Sequence, residues 1–172
     1  MKNLVLVGFM GTGKSAVGRI VARRLTLEFL DMDARIEEQE GRTISGIFAT
    51  EGEAHFRTIE RAMVQELSRQ EGLVIATGGG VVLNPDNLSD FSRTGVVICL
   101  HADPETILDR VSRQAHRPLL EGDDDKSQAI RTLLEKRTPI YQSIPLGIDT
   151  THLPARDVAE QAIALYLGQR GG

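Results

Sequence analysis

The sequence predicts an α/β domain built on a parallel sheet with helices on both faces, and three observations carry that prediction. Apolar, strand-like runs alternate with helical patterns along the whole chain. The first run, Asn3-Leu4-Val5-Leu6-Val7, is continuously apolar, as a strand covered on both faces is. It leads directly into Gly8-Phe9-Met10-Gly11-Thr12-Gly13-Lys14-Ser15, which fits the phosphate-loop pattern G-x-x-x-x-G-K-[S/T] and needs this strand–loop–helix setting. The chain has 172 residues, enough for one domain with a real core.

Each element has its own signal. After the strand at 3–7, Ala16, Val17, Ile20, Val21 and Leu25 repeat at helical spacing and place a helix at 14–25. A second strand near 28–31 ends in Asp31-Met32-Asp33, and helices follow near 33–40, 43–49 and 53–70. A third strand at 73–76 ends in Thr77-Gly78-Gly79-Gly80. Asn84-Pro85 supplies an N-cap with proline at the first helical position, opening a helix at 85–92. The run Val96-Val97-Ile98-Cys99-Leu100 is a fourth strand, and Asp103-Pro104 repeats the capping signal for a helix at 104–113. The stretch from His116 to Asp125 is polar, contains Pro118 and Gly122, and has the character of a mobile flap. Asp123-Asp124-Asp125 gives a dipole-favourable start to a helix at 126–137. A short strand near 146–149 and a helix at 155–168, with Val158, Ala162, Ile163 and Tyr166 on one stripe, complete the chain.

Composition excludes several function classes. Net charge is −4, which is no nucleic-acid footprint. No apolar run approaches the length of a membrane-spanning helix, and no cleavable signal pattern precedes the first strand. Cys99 stands alone, so no disulfide forms within one chain, and the cytoplasm is the expected compartment. The four histidines, His55, His101, His116 and His152, show no metal-ligand spacing. No exposed apolar stripe calls for a partner, so a monomer is expected.

Ligands of such sheets bind beyond the carboxyl ends of the strands. The glycines of the phosphate loop let successive amides point inward around phosphate oxygens, Lys14 adds a mobile positive charge, and the Ser15 hydroxyl can ligate Mg²⁺. Beyond the second strand, period-two geometry puts Asp31 and Asp33 on one side, where one can serve Mg²⁺ and the other a substrate hydroxyl. Asp33 is equally placed to cap the helix that follows. Gly78, Gly79 and Gly80 give up backbone entropy, and close approach to a ligand is one reason to do so; a tight turn is the other. Arg57, with Glu60 three residues on to hold it, can present a fork to a carboxylate. Arg117 and Arg137 are further candidates of the kind phosphoryl transfer needs, though nothing local separates them from surface arginines.

Taken together, GFMGTGKS at 8–15, DMD at 31–33, GEAHFRTIE at 52–60, TGGG at 77–80, RPLL at 117–120 and KRTPIY at 136–141 resemble the shikimate kinases, within the nucleoside-monophosphate-kinase-like group, nearly end to end. The resemblance implies ATP-dependent phosphorylation of the 3-hydroxyl of shikimate, on the route to aromatic amino acids. It implies a single domain over 1–172 with a five-stranded parallel sheet of order 2-3-1-4-5, a substrate-binding helical region near 33–61, a lid near 112–124 and an adenine-contacting segment near 150–155. Gly11, Thr12, Gly13, Lys14, Ser15 and Ala16 would bind ATP, with Arg110 and Pro154 towards adenine. Ser15 and Asp31 would serve Mg²⁺. Asp33, Arg57, Gly78, Gly79, Gly80 and Arg137 would bind shikimate, and Arg117 would reach over from the lid; Lys14, Asp33 and Arg117 would carry the catalysis. One departure is Gly46, where the family commonly has an acidic residue; in a helix interior it would cost about 1 kcal/mol and add mobility. A kinase for another hydroxylated acid, such as gluconate, shares the loop but does not account for the FR and RPLL motifs together. An ATP-binding regulatory module is the non-enzymatic alternative.

Overall fold

The computed structural model describes residues 1–114 and 124–169. Strands β1 (Asn3–Val7), β2 (Glu28–Asp31), β3 (Leu73–Ala76), β4 (Gly95–His101) and β5 (Gly147–Asp149) form one parallel sheet in the order β2-β3-β1-β4-β5. The helices are α1 (Lys14–Leu25), α2 (Met32–Glu40), α3 (Ile44–Leu67), α4 (Pro85–Thr94), α5 (Pro104–Gln114), α6 (Asp124–Gln142) and α7 (Ala155–Gly168). The order and the parallel pairing agree with the expectation; residues 116–123 of the flap candidate, with Arg117, lie outside the described residues, and Asp124 and Asp125 open α6.

β1 sits at the centre, with Val5 opposite Ile75 on one side and Val97 on the other. Its pleat sorts the core into two layers. Leu4 and Leu6, with Val74, Ile98 and Leu100, pack against Val17 and Val21 of α1 and Ala159 and Ala162 of α7. Val5 and Val7, with Ile75 and Cys99, pack on the opposite face against Ile36 of α2, Val64 of α3, Phe91 of α4 and Tyr141 of α6. Because both faces are covered, every residue of β1 is buried, and at its carboxyl end the strand passes directly into the loop.

Several departures from the sequence reading have local causes. The helices expected at 43–49 and 53–70 are both present within α3, which is interrupted between them at Gly52, whose φ of 83° and ψ of 173° are non-helical, open to glycine and costly for other residues. Thr43 caps α3 by accepting from the Gly46 amide at 3.1 Å, so Gly46 lies in the first turn and not in a helix interior, and the interior penalty does not apply there. α6 does not stop before Thr138-Pro139; it runs through to Gln142. Pro139 withholds one amide from the ladder, but both it and Glu135, whose carbonyl is left over, lie on the exposed side of the helix, where water serves that carbonyl. A 3-10 turn at Val81–Leu83, too short to leave a period, joins the triple glycine to α4.

Asn3 is the one polar residue of β1 and is fully buried. Its amide donates to Gln70 O at 2.8 Å and Leu67 O at 3.4 Å, and its oxygen accepts from Leu73 N at 2.9 Å. One carboxamide therefore ties the start of β1 to the end of α3 and the start of β3. Replacing Asn3 with Ala removes the partner of Gln70 O and of Leu73 N, while Leu67 O keeps Gln70 N at 3.1 Å, and we expect a loss of about 3 kcal/mol of stability. Chemical denaturation of the variant checks this, and an unchanged midpoint would remove Asn3 from the account.

Candidate active site

The phosphate loop takes its shape from three left-handed glycines and one lysine. Gly8, Gly11 and Gly13 have φ of 143°, 74° and 94°. A side chain on Gly8 would run into the carbonyl of Leu100. Lys14 is the first residue of α1, and its ammonium turns back to donate to Gly8 O and Phe9 O at 2.8 Å each. α1 has no side-chain cap at Gly13, so the amides of its first turn are free to face an anion. Gly11, Gly13, Lys14, Ser15 and Ala16 line a crevice of about 200 Å³, with Asp31, Asp33 and Thr77 on its far wall. Thr12 does not join them: it is buried behind the loop, its hydroxyl donating to Phe9 O at 2.8 Å.

Asp31 and Asp33 are brought together, but not by strand periodicity. Asp31 ends β2 and is the N-cap of α2, accepting from Ala34 N at 3.2 Å; Asp33 is already in the first turn of that helix. The cap is thus Asp31, and Asp33 is left to face the crevice. Asp31 also accepts from Ser15 Oγ at 2.5 Å. These two oxygen donors, side by side at the rim of the crevice, suit Mg²⁺, which takes oxygen ligands and keeps several of its own waters. Among the described residues no group of three or more His, Cys, Asp or Glu side chains forms a closed metal cage, so the fit is to an ion completed by phosphate and water.

A second, larger cleft of about 770 Å³ opens beside the first. Arg57 enters it from α3, held by Glu60 Oε1 at 2.9 Å and Glu53 Oε1 at 3.2 Å, with its guanidinium carbon 5.2 Å from the Phe56 ring centre. Glu60 is almost wholly buried, so the pair holds the fork in a fixed direction. Arg137, expected at a helix end, sits inside α6 with Tyr141 one turn on. It is 9% exposed, its Nε has no hydrogen-bond partner among the described residues, and its guanidinium carbon stands 5.9 Å from the Phe9 ring centre. Tyr141 in turn donates to Gly79 O at 2.8 Å and packs edge-on against Phe9 of the loop, 6.4 Å between centres.

Crowding, not backbone strain, explains two of the three glycines, Gly78 and Gly80. None of Gly78, Gly79 and Gly80 is among the residues with positive φ. A Cβ on Gly78 would stand 2.7 Å from Asp33 Oδ1, and one on Gly80 would overlap the Arg57 guanidinium. These glycines let two charged side chains lie directly on the backbone. Met10, Asp33 and Gly79 line both clefts, so the two cavities meet at the Asp33 carboxylate.

Burial lowers the Lys14 ammonium to about 8, against the opposing pull of Asp33, Cys99 and Asp31. Burial, helped by Asp31, raises the Asp33 carboxyl above its ordinary value, while Lys14 and Arg57 pull it down. Burial raises Glu60 as well, opposed by Arg57. Arg110 and Pro154, expected at adenine, line neither cleft. Arg110 donates to Gly11 O at 3.3 Å and to Thr150 O at 2.7 Å, behind the loop; Pro154 is exposed at the N-cap of α7. Tyr141 and Thr150 carry no motif signal of their own, although Tyr141 closes the KRTPIY segment.

The family model described as shikimate kinase matches residues 10–166. A shikimate kinase of Caldanaerobacter subterraneus is 45% identical over 171 residues, covering 99% of both chains. The solved structure of the Acinetobacter baumannii shikimate kinase in complex with shikimate superposes with a TM-score of 0.89 at 39% identity, over 100% of this chain and 96% of that one. A gluconokinase from Sinorhizobium meliloti shares the fold, with a TM-score of 0.64 at 18% identity over 98% of this chain and 93% of that one.

The Lys14 value makes a prediction with a definite sign. An anion in the crevice stabilises the ammonium, so the bound-state pKa rises above 8, and at pH 8.5 binding takes up protons. Calorimetric titration with inorganic triphosphate at that pH, in buffers of different ionisation enthalpy, should show uptake of about half a proton or more, lost in Lys14→Met. Proton release, or no exchange, would contradict the buried-cation description.

Proposed function

Because the chain belongs to the shikimate kinase family, we propose that its two clefts are the donor and acceptor halves of one reaction, the ATP-dependent phosphorylation of the 3-hydroxyl of shikimate to shikimate 3-phosphate. The observation that carries this reading is the sharing of Asp33, Met10 and Gly79 by both clefts. A regulatory nucleotide-binding module has no use for a second charged cleft opening onto its phosphate site. The gluconokinase likeness is one of fold alone.

In this reading the amides of Gly11 to Ala16 and the Lys14 ammonium receive the ATP phosphates. Ser15 and Asp31 hold Mg²⁺, which when bound supplies charge neutralisation for the transferring group. Asp33 faces the acceptor hydroxyl, orients it and takes its proton; its raised pKa makes it a stronger base than an ordinary carboxylate. Arg57 and the buried Arg137 clamp the shikimate carboxylate, and the near-contact of Gly78 and Gly80 with Asp33 and Arg57 lets the glycine backbone form the floor of the same cleft. Arg117, from the lid near 112–124, adds positive charge over the phosphates, and Arg110 and Pro154 flank adenine. The unit is a single domain over 1–172. Both clefts are built from one chain, which supports a monomer. No helix among the described residues is long and apolar enough to cross a membrane, and together with the sole cysteine this supports work in the cytoplasm.

Two variants test the assignment by steady-state kinetics. Asp33→Asn should lower kcat by about 10²-fold or more, with shikimate still bound. Arg57→Ala should raise the KM for shikimate by about 10- to 100-fold and leave the KM for ATP within a few-fold. A normal kcat in the first, or an unchanged shikimate KM in the second, would take that residue out of the site.

A further inference from the structure

A phosphate loop can turn its amides inward only by turning its carbonyls outward, because the C=O and N–H of one trans peptide point in opposite directions. Each buried outward carbonyl then needs a donor. Three of them are served from within the motif and its helix: Gly8 O by Lys14, Phe9 O by Lys14 and Thr12, and Gly13 O by Val17 N at 2.9 Å. Two are served from outside. Gly11 O accepts from Arg110 Nη1 at 3.3 Å, and Thr12 O accepts from Thr150 Oγ1 at 3.1 Å.

The two outside donors are themselves joined. Arg110 Nη1 donates to Thr150 Oγ1 at 2.9 Å and Arg110 Nη2 to Thr150 O at 2.7 Å. Thr150 N donates to His101 O at 2.8 Å, and the Thr150 hydroxyl stands 3.0 Å from that same oxygen. Thr150 is 2% exposed, so its side chain faces the loop and not a ligand. A hydroxyl carries one proton and two lone pairs; with Arg110 on a lone pair, the proton is left for the two carbonyls. His101 O already has the Thr150 amide as a donor, whereas Thr12 O receives only the hydroxyl among the bonds of the described residues outside helices and strands.

We infer that Thr150, backed by Arg110, is a positioning residue of the phosphate loop: it holds the Thr12 carbonyl outward and thereby keeps the Gly13 amide pointed at the bound phosphates. The inference rests on the reading of this loop as the ATP site. It also gives the segment after β5 a role in phosphate binding that no motif there announces.

The test compares ATP with inorganic triphosphate, a probe without a base, by calorimetry on the wild type, Thr150→Val and Thr150→Ser. Thr150→Val keeps the shape and removes the donor; it should weaken ATP and triphosphate alike by about tenfold. Thr150→Ser keeps the hydroxyl and should bind both within about twofold of wild type, and the KM for shikimate at saturating ATP should be unchanged in each. Weakened ATP with normal triphosphate would place Thr150 on the base side and overturn the inference, as would normal binding of both. Should Thr150→Val fail to fold, Thr150→Cys, which exchanges a strong donor for a weak one, carries the same comparison. A wild type that binds neither probe overturns the reading of the loop as an ATP site, and the inference with it.

Discussion

The Lys14 ammonium, bonded to the carbonyls of Gly8 and Phe9, is the contact on which the rest of the site depends. It closes the loop on itself and brings a positive charge into a buried place next to two aspartates. The cost of that burial shows in its lowered pKa, and the same charge draws down the carboxyl of Asp33. Loop shape, anion affinity and the protonation of the group facing the acceptor therefore hang on one side chain. The sheet makes this possible: β1 is covered on both faces, and its carboxyl end leads straight into the loop.

The acceptor side solves a different problem, how to aim two arginines without letting them collapse onto solvent or onto each other. Arg57 is aimed by a buried carboxylate, Glu60, and Arg137 lies beside a buried phenol, Tyr141, one turn on in α6. Burial raises both partners, Tyr141 to about 12, so the phenol stays neutral and Arg137 keeps its charge for a ligand. Tyr141 also holds Gly79 O and packs on Phe9, which makes one side chain the mechanical link between the arginine, the glycine floor and the phosphate loop. The glycines serve proximity: with a Cβ at 78 or 80, Asp33 or Arg57 would have to move.

What the sequence disclosed follows the range of the interactions involved. The strands, the phosphate loop and the proline-marked helix starts were legible because their causes lie within a few residues: apolar runs, glycine spacing, caps. Local reasoning went astray where two local rules competed. Asp33 is the cap candidate of the sequence, but the chain gives the cap to Asp31, which frees Asp33. Thr138-Pro139 read as a stop, but an exposed proline side of α6 lets the helix run on and puts Arg137 one turn from Tyr141. Thr150 and Tyr141 fall in segments that the family resemblance marks, but their contacts have no local signal: their partners lie 138 and 62 residues away, and a threonine or tyrosine leaves no trace of a contact at that distance. Arg110, which the family resemblance points towards adenine, also grips the back of the loop, a contact that no local signal announces.

The central claim is that the two clefts form one site with a definite acceptor. The most direct measurement is ADP release from ATP, coupled to an optical signal, with shikimate, gluconate, AMP or no acceptor present. The account predicts release with shikimate and only background with the other three. Equal release in all four, or release with gluconate or AMP in place of shikimate, would contradict it.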